Sequence, residues 1–290
     1  MKMALAFDID STLTYPRQPI DKTMTEVLKR LTVPFSVAAG SHLLLLKKQF
    51  FSPLYDFGFR GQFAAFLSNG AVHYQCDYSH KMSIELVSEF NIKAHLGEAD
   101  YHFLWNKLAK TLEREEFLLP ASLTIVDNRI VNRGSMINLC PIGRKEQEDP
   151  DAQQNRERFV EFDRSTGYRE KVIRYLNQEL ASLVREKQLK ITLGGQTSFD
   201  IGILGQDKTK PVRTLLDDGF EKVVFIGDAL FEGGNDAAIN EFIKAWPASS
   251  ACPVEAIQVN SPKETIEVIH KLKVLNQSFF VEEIDGFRKA

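Results

Sequence analysis

Leu5-Ala6-Phe7-Asp8-Ile9-Asp10-Ser11-Thr12-Leu13-Thr14 decides the fold class of this 290-residue chain. The apolar run over residues 3–7 is too short for a helix and is bounded at once by polar residues, so it reads as a buried parallel strand. Asp8 and Asp10 emerge at its carboxyl end. Open α/β sheets bind their ligands at that edge, and strand alternation points two carboxylates spaced by one residue the same way. Such a pair suits a magnesium ion and one nucleophile. One carboxylate can attack phosphorus to give an aspartyl-phosphate, while the second trades protons with leaving group and incoming hydroxyl. The same letters also describe a strand followed by an Asp-rich turn, and Asp-x-Asp alone does not separate the two.

Outward from that stretch, strand and helix patterns alternate. Asp21 is placed to cap a helix with Met24, Val27, Leu28 and Leu31 on one face. Residues 34–39 read as a second strand ending at Gly40-Ser41-His42, with a helix over 43–50. Ser41 reads either as that helix's cap or, with the backbone N–H groups beside it, as part of an anion cradle. Residues 63–74 read as strands around an Asn69-Gly70 turn. From about His80 the order changes. Amphipathic helices are predicted over 84–90, 101–112 and 167–184, and strand-like runs over 123–126 and 136–139, while the polar stretch 145–158 with Pro150 reads as a solvated loop.

After Gly205 the first pattern resumes. A helix over 211–216 leads to a strand over 223–226 that ends at Gly227-Asp228. Gly233-Gly234-Asn235-Asp236, a helix over 237–246, a strand over 254–259 and a helix over 262–272 follow. The predicted organisation is a parallel-sheet core over 1–80 and 205–275, an inserted α+β cap domain over 81–204, and a tail over 276–290.

Composition narrows the classes. With 43% hydrophobic and 26% charged residues the chain can bury a substantial core, and a net charge of −3 argues against a general nucleic-acid binder. No apolar run reaches the length of a membrane span, and Asp8 interrupts the first one before it could serve as a leader, so a cytoplasmic protein is expected. Cys76, Cys140 and Cys252 have neither disulfide-framework nor zinc spacing and read as reduced packing residues.

One sheet edge thus collects Asp8 and Asp10, Ser41, Asp207-Lys208 at a helix start, and Asp228 with Asn235-Asp236. Hard carboxylate oxygens hold magnesium, while Ser41 and the Lys208 ammonium neutralise phosphate oxygens whose charge spreads in the transition state. The set resembles the haloacid dehalogenase (HAD) superfamily of phosphotransferases, which implies a Rossmann-like α/β core with an inserted cap. A closer resemblance rests on Phe7-Asp8-Ile9-Asp10-Ser11-Thr12-Leu13-Thr14 with Arg17-Gln18, on Asn138-Leu139-Cys140-Pro141-Ile142-Gly143-Arg144, on Gly194-Gly195-Gln196-Thr197-Ser198-Phe199-Asp200, and on Gly227-Asp228 with Gly233-Gly234-Asn235-Asp236. Together these stretches are similar to the eukaryotic-type phosphomannomutases.

That resemblance implies Asp8 as the phosphorylated nucleophile, Asp10 as general acid/base and, through its backbone carbonyl, a metal ligand, and Asp228 completing a Mg2+ site with Asn235 and Asp236 behind it. It implies Ser41 and Lys208 on the transferring phosphate and Arg17 at the sugar. In the cap it implies Arg133, Arg144 and Arg156 on the distal phosphate, with Asn138, Ser198 and Asp200 reading phosphate or sugar hydroxyls; the planar arginine fork grips phosphate oxygens in pairs. Arg156 fits only with an insertion in the 145–155 stretch. Ser11 stands where the family has glycine, His42 and Ser68 where it has acidic residues, and Ile125 where it has a further arginine.

The activity implied is interconversion of mannose 6-phosphate and mannose 1-phosphate, feeding nucleotide-sugar synthesis, with hexose 1,6-bisphosphate as intermediate and activator. The partners implied are hexose phosphates and a second copy through the cap. Leu86, Val87, Phe90, Phe103, Leu104 and Leu108 read either as a patch for that copy or as core. Two further readings stand beside the mutase: a sugar-phosphate phosphatase using the same aspartate, and a non-catalytic sugar-phosphate binder.

Overall fold

The N-terminal run forms β1 (Met3–Asp8), and its side chains sort to two buried faces as period-2 alternation requires. Leu5 and Phe7 join Val37, Val224 and Ile226 in one cluster, whereas Ala4 and Ala6 join Ala38, Val223 and Phe225 in another. A strand apolar on both sides belongs inside a parallel sheet covered by helices. The computed structural model describes residues 2–144, 150–231 and 234–276, Pro150 by its backbone alone. The chain divides into two units, one running up to Glu89 and resuming at Asp207, the other Phe90–Gln206.

The first unit carries a seven-stranded sheet. Its strands are β1, β2 (Phe35–Ala38), β3 (Gln62–Leu67), β4 (Val72–Asp77) and β5 (Ser83–Glu89), then, after the second unit's strands β6 (Ile130–Asn132), β7 (Ile137–Leu139), β8 (Leu189–Gly194) and β9 (Ser198–Ile203), β10 (Lys222–Gly227) and β11 (Val254–Gln258). The order is β11-β10-β1-β2-β3-β4-β5, parallel from β11 to β3 and antiparallel from β3 to β5. The chain leaves β1 toward β2 on one side, and β10 returns on the other, so the ligand-binding crevice of an open sheet opens at the carboxyl ends of β1 and β10. Helix Lys22–Lys29 begins at Asp21, whose side chain accepts from Met24 N at 2.7 Å.

The second unit pairs β6-β7-β9-β8 antiparallel throughout. One face buries Ile137, Leu139, Ile191, Phe199 and Ile201 together with Leu104, Leu108, Val172 and Leu176 of its helices. The opposite face carries Asn138 and Asp200, directly paired across β7 and β9.

Several expectations are corrected. Residues 84–90 form no helix: Ile84, Leu86 and their neighbours pair with β4 as an edge strand, because an open sheet edge outweighs a short helical period. That strand carries the first unit to Glu89 and not to residue 80, and the second unit ends at Gln206. Residues 123–126 form no strand; a backbone bond from Val126 N to Ile142 O and a bond from Thr124 N to the side-chain Oδ1 of Asn155 hold them instead. The expected loop over 145–158 is helical from its midpoint, Pro150–Thr166, because proline is as much a first-turn residue as a breaker; residues 145–149 lie outside the described ones. The expected helix over 167–184 is two, Tyr168–Glu179 and Ala181–Glu186.

Of the six residues read as patch or core, Leu104 and Leu108 are core, while Leu86, Val87 and Phe103 are exposed. Cys76, Cys140 and Cys252 are free thiols, the first two buried. No helix among the described residues is long and apolar enough to cross a membrane. The tail expected over 276–290 is described only at Asn276, whose N–H donates to Arg30 O.

Candidate active site

Register brings the first group of candidates together. Asp8 pairs with Ala38 of β2, and Phe7 with Ile226 of β10, so Asp8, the Gly40-Ser41 turn and Asp228 all leave the sheet at one edge. Lys208, its side chain fully buried, donates to Asp8 Oδ1 at 2.5 Å and to Asp236 Oδ1 at 2.6 Å. Asp236 also accepts from Ala229 N through Oδ2, and it reaches that position across Gly227, where a Cβ would lie 2.5 Å from Oδ2. A side chain at 227 would therefore expel the buried carboxylate.

One cation serves three acids here. Burial, and then the charges of Asp236 and Asp228, push the Asp8 carboxyl up to about 7 against the pull of Lys208. Burial and Asp236 likewise raise Asp228. For Lys208, burial alone would lower the ammonium, but Asp8 and Asp236 outweigh it and hold it above its ordinary value. Carboxylate oxygens of Asp8, Asp228 and Asp236 lie within 4.8 Å of one another, the only such acidic group of three among the described residues. Hard oxygen donors in a charge-deficient pocket fit a divalent cation such as magnesium.

Asp10 does not join this cluster through its carboxylate. Its Oδ1 accepts from Arg17 N at 2.9 Å and from Gln49 Nε2 at 2.5 Å. Arg17 meets Asp10 through its backbone, and its side chain is exposed. Ser11 has φ +59°, the left-handed conformation that favours the glycine of the resembling family, and its side chain hydrogen-bonds Asp228. Ser41 follows β2, its carbonyl accepting from Ser68 N at 3.1 Å. His42 precedes helix Leu43–Leu46 without a side-chain cap bond. Asn235 is exposed beside buried Asp236, and Gly233 lies outside the described residues.

The second unit gathers its own candidates on the polar sheet face. Asn138, 1% exposed, accepts at Oδ1 from Arg144 Nε at 2.9 Å and Nη2 at 2.7 Å, and donates from Nδ2 to Ser198 Oγ at 3.2 Å and Asp200 Oδ1 at 2.6 Å. Ser198 Oγ in turn donates to Gly194 O. A Cβ at Gly194 would stand 2.7 Å from Asp200 Oδ1 and 2.9 Å from Ser198 Oγ, so the bare backbone makes room for both. Burial, and then the charges of Arg133 and Arg156, lower Arg144, opposed by Cys140 and Asp200. The charges of two further guanidinium groups thus reach Arg144, that of Arg156 from helix Pro150–Thr166.

Two site residues have roles that the sequence reading missed. Asp236, expected only behind the metal, is also the second anchor of Lys208 and stands in the group of three acids. Gln49 reads in sequence only as part of a helical run; its signal is a lone amide among Leu43–Leu46 and Phe50-Phe51.

The family model of eukaryotic phosphomannomutases matches residues 20–274. The chain is 31% identical to phosphomannomutase 2 of Dictyostelium discoideum over 278 residues, covering 94% of this chain and 95% of that protein. It is 33% identical to the phosphomannomutase of Glycine max over 245 residues, covering 81% and 85%. Among solved structures it is similar to an IMP-bound Plasmodium falciparum IMP-nucleotidase, with TM-score 0.57, 14% identity and coverage of 94% and 68%. It is also similar to an Aspergillus fumigatus trehalose-6-phosphate phosphatase, with TM-score 0.52, 13% identity and coverage of 93% and 92%. At such identity these likenesses speak to fold alone, that of a HAD-type α/β core with an inserted α+β unit.

Proposed function

The chain belongs to the eukaryotic phosphomannomutase family, and from that premise we propose that it interconverts mannose 6-phosphate and mannose 1-phosphate through a phosphorylated Asp8 and a hexose 1,6-bisphosphate. In this reading an Asp8 oxygen attacks phosphorus, and the departing sugar oxygen takes its proton from Asp10. Ser41 and Lys208 offset the charge on the transferring oxygens, and Arg17 orients the sugar. Asp8 and Asp228, with the main-chain carbonyl of Asp10, would hold Mg2+, which supplies Lewis-acid charge neutralisation when bound. Arg144, set by Asn138 and flanked by Arg133 and Arg156, holds the phosphate that does not react, while Ser198 and Asp200 read hydroxyls. Hexose phosphates in the cytoplasm are the partners of this reading, which includes a homodimer through the second unit.

The observation that supports a mutase above all is the second anion grip, the Asn138-anchored Arg144 with its two neighbouring arginines. A hydrolase needs to hold only the phosphate it removes, whereas a mutase must hold a sugar by either phosphate and present both ends in turn. The test is a progress curve with mannose 1-phosphate and glucose 1-phosphate, with and without a trace of hexose 1,6-bisphosphate. Isomerised sugar phosphate that depends on the bisphosphate is the expected outcome. Inorganic phosphate as the main product, independent of it, overturns the proposal in favour of a phosphatase, and no turnover of either sugar in favour of a binding protein.

A further inference from the structure

Gln49 sits where packing alone would choose a hydrocarbon. It is 2% exposed, between buried Leu46 and buried Phe50 and Phe51, and its Oε1 is buried without a hydrogen-bond partner. A methionine would fill that volume and leave no orphaned acceptor, so the amide is retained for what its nitrogen does. Nε2 donates to Asp10 Oδ1 at 2.5 Å and to Thr14 Oγ1 at 3.0 Å, while the backbone carbonyl accepts from Ile20 N at 2.8 Å. One residue therefore stitches together three points of the 10–20 loop. Its own backbone is unusual: helix Leu43–Leu46 widens into a π-turn over Lys47–Phe51 before resuming at Ser52–Asp56. A π-turn puts consecutive residues on one buried side that an α-helix would spread apart, and such turns recur at functional sites.

Asp10 shows the effect. Both recorded donors, Gln49 Nε2 and Arg17 N, converge on Oδ1, and among the described residues Oδ2 accepts from none. The two oxygens of the carboxyl are thereby made different.

We propose that Gln49 is the positioning residue of the acid/base group: its amide pins Oδ1 of Asp10 and so leaves Oδ2 aimed for proton exchange with the leaving oxygen. This rests on the reading of Asp10 as general acid/base. In the step affected, the Asp8 oxygen bonds to phosphorus as the phosphorus–oxygen bond to the sugar breaks. The bonding pair stays with the sugar oxygen, which takes the proton from Asp10 Oδ2 and leaves Asp10 as carboxylate. Gln49 touches neither substrate nor reacting atoms.

A leaving group that departs as a stable anion needs no proton, and that separates positioning from structural support. Gln49→Met is compared with the unaltered enzyme on a hexose 1,6-bisphosphate and on p-nitrophenyl phosphate, counting the first-turnover release of the leaving group, hexose monophosphate or nitrophenolate, as Asp8 is phosphorylated. The expected result is a drop in the first-turnover rate of about 10²-fold for the sugar bisphosphate, a change within about twofold for the aryl phosphate, and little change in the half-saturating concentration of either. In an Asp10→Ala background Gln49→Met should then cost nothing further. Equal losses on both substrates, no loss on either, or an additive loss in that background overturns the assignment. Should Gln49→Met not fold, Gln49→Asn keeps an amide but withdraws it from Asp10 and is read the same way. Because only the transfer to Asp8 is counted, the comparison stands whether the phosphoenzyme goes on to a second sugar or to water. Failure of the mutase reading shows separately, as free phosphate from the hexose phosphate.

Discussion

The two clusters of candidate residues in this chain, one in each unit, are built from different materials. At the end of β1 a buried ammonium, Lys208, is held between two buried carboxylates, with a third acid beside them. On the polar face of the second sheet a neutral amide, Asn138, organises an arginine through both of the guanidinium nitrogens it meets. Each cluster stands beside a glycine whose missing Cβ admits an acid, Gly227 for Asp236 and Gly194 for Asp200. Under the proposed function the difference follows from what each site is asked to do. A nucleophile must be dry and immobile, and buried charge is tolerable only when paired, so the first site couples chemistry to stability. A site that only binds can keep its charges near water and use an amide to orient them, which leaves the fold indifferent to its loss.

The sharpest test of that contrast removes the charges one at a time. Asp8→Asn should abolish phosphoenzyme formation and lower turnover by at least about 10⁴-fold, read by intact mass and by product formation. Because it relieves a crowded set of acids, it should leave the melting temperature unchanged or raised. Lys208→Met should be as inactive, but it strands two buried carboxylates and should cost about 3–5 kcal/mol by chemical denaturation. Arg144→Ala in the second unit should reduce kcat/KM about 10²-fold with a stability change within about 0.5 kcal/mol. If Arg144→Ala instead unfolds the protein, the division between a stability-coupled site and a free one is wrong.

The paired glycines sharpen the comparison further. Gly227→Ala should remove activity and destabilise by about 2 kcal/mol or more, since the Cβ displaces a fully buried acid. Gly194→Ala should raise KM about tenfold while the unfolding midpoint moves less. The smallest effect concerns pH. The Asp8 carboxyl is raised from 3.8 to about 7, so in metal-free protein its protonated form contributes stability that is full below its unfolded value and lost as pH rises through about 7. Scanning calorimetry from about pH 6 to about pH 8 should show a melting temperature falling by a few degrees, and added Mg2+ should restore more at the upper end than the lower. A metal-free melting temperature that climbs over that interval contradicts the charge arrangement.

Much of this was legible in the letters because it is local. A five-residue apolar run ending in acid can only be a buried strand with a polar tip, and β1 and β10 lie where their composition puts them. Asn138, Ser198 and Asp200 could be named from motif positions, and the sheet register sets them side by side. The errors fall where a partner outside the window decided the outcome. Residues 84–90 carry a short helical period, yet the free edge of β4 takes Ser83–Glu89 as a strand. Pro150 looks like a breaker until a helix starts on it. Gln49 carries no motif at all, since its partner Asp10 is 39 positions away.

The order of elements, the acids at strand ends and the presence of a second, arginine-bearing unit were determined by sequence alone, since periodicity, turn chemistry and residue type act over a few neighbours. Which acids share a pocket was not. Asp236 and not the Asp10 carboxylate faces Asp8, and the carboxyl of Asp10 is turned to Gln49, because only chain crossings and side-chain packing bring together groups that are up to 228 positions apart in numbering, as Asp8 and Asp236 are. Burial then sets their charge, a property no residue has by itself.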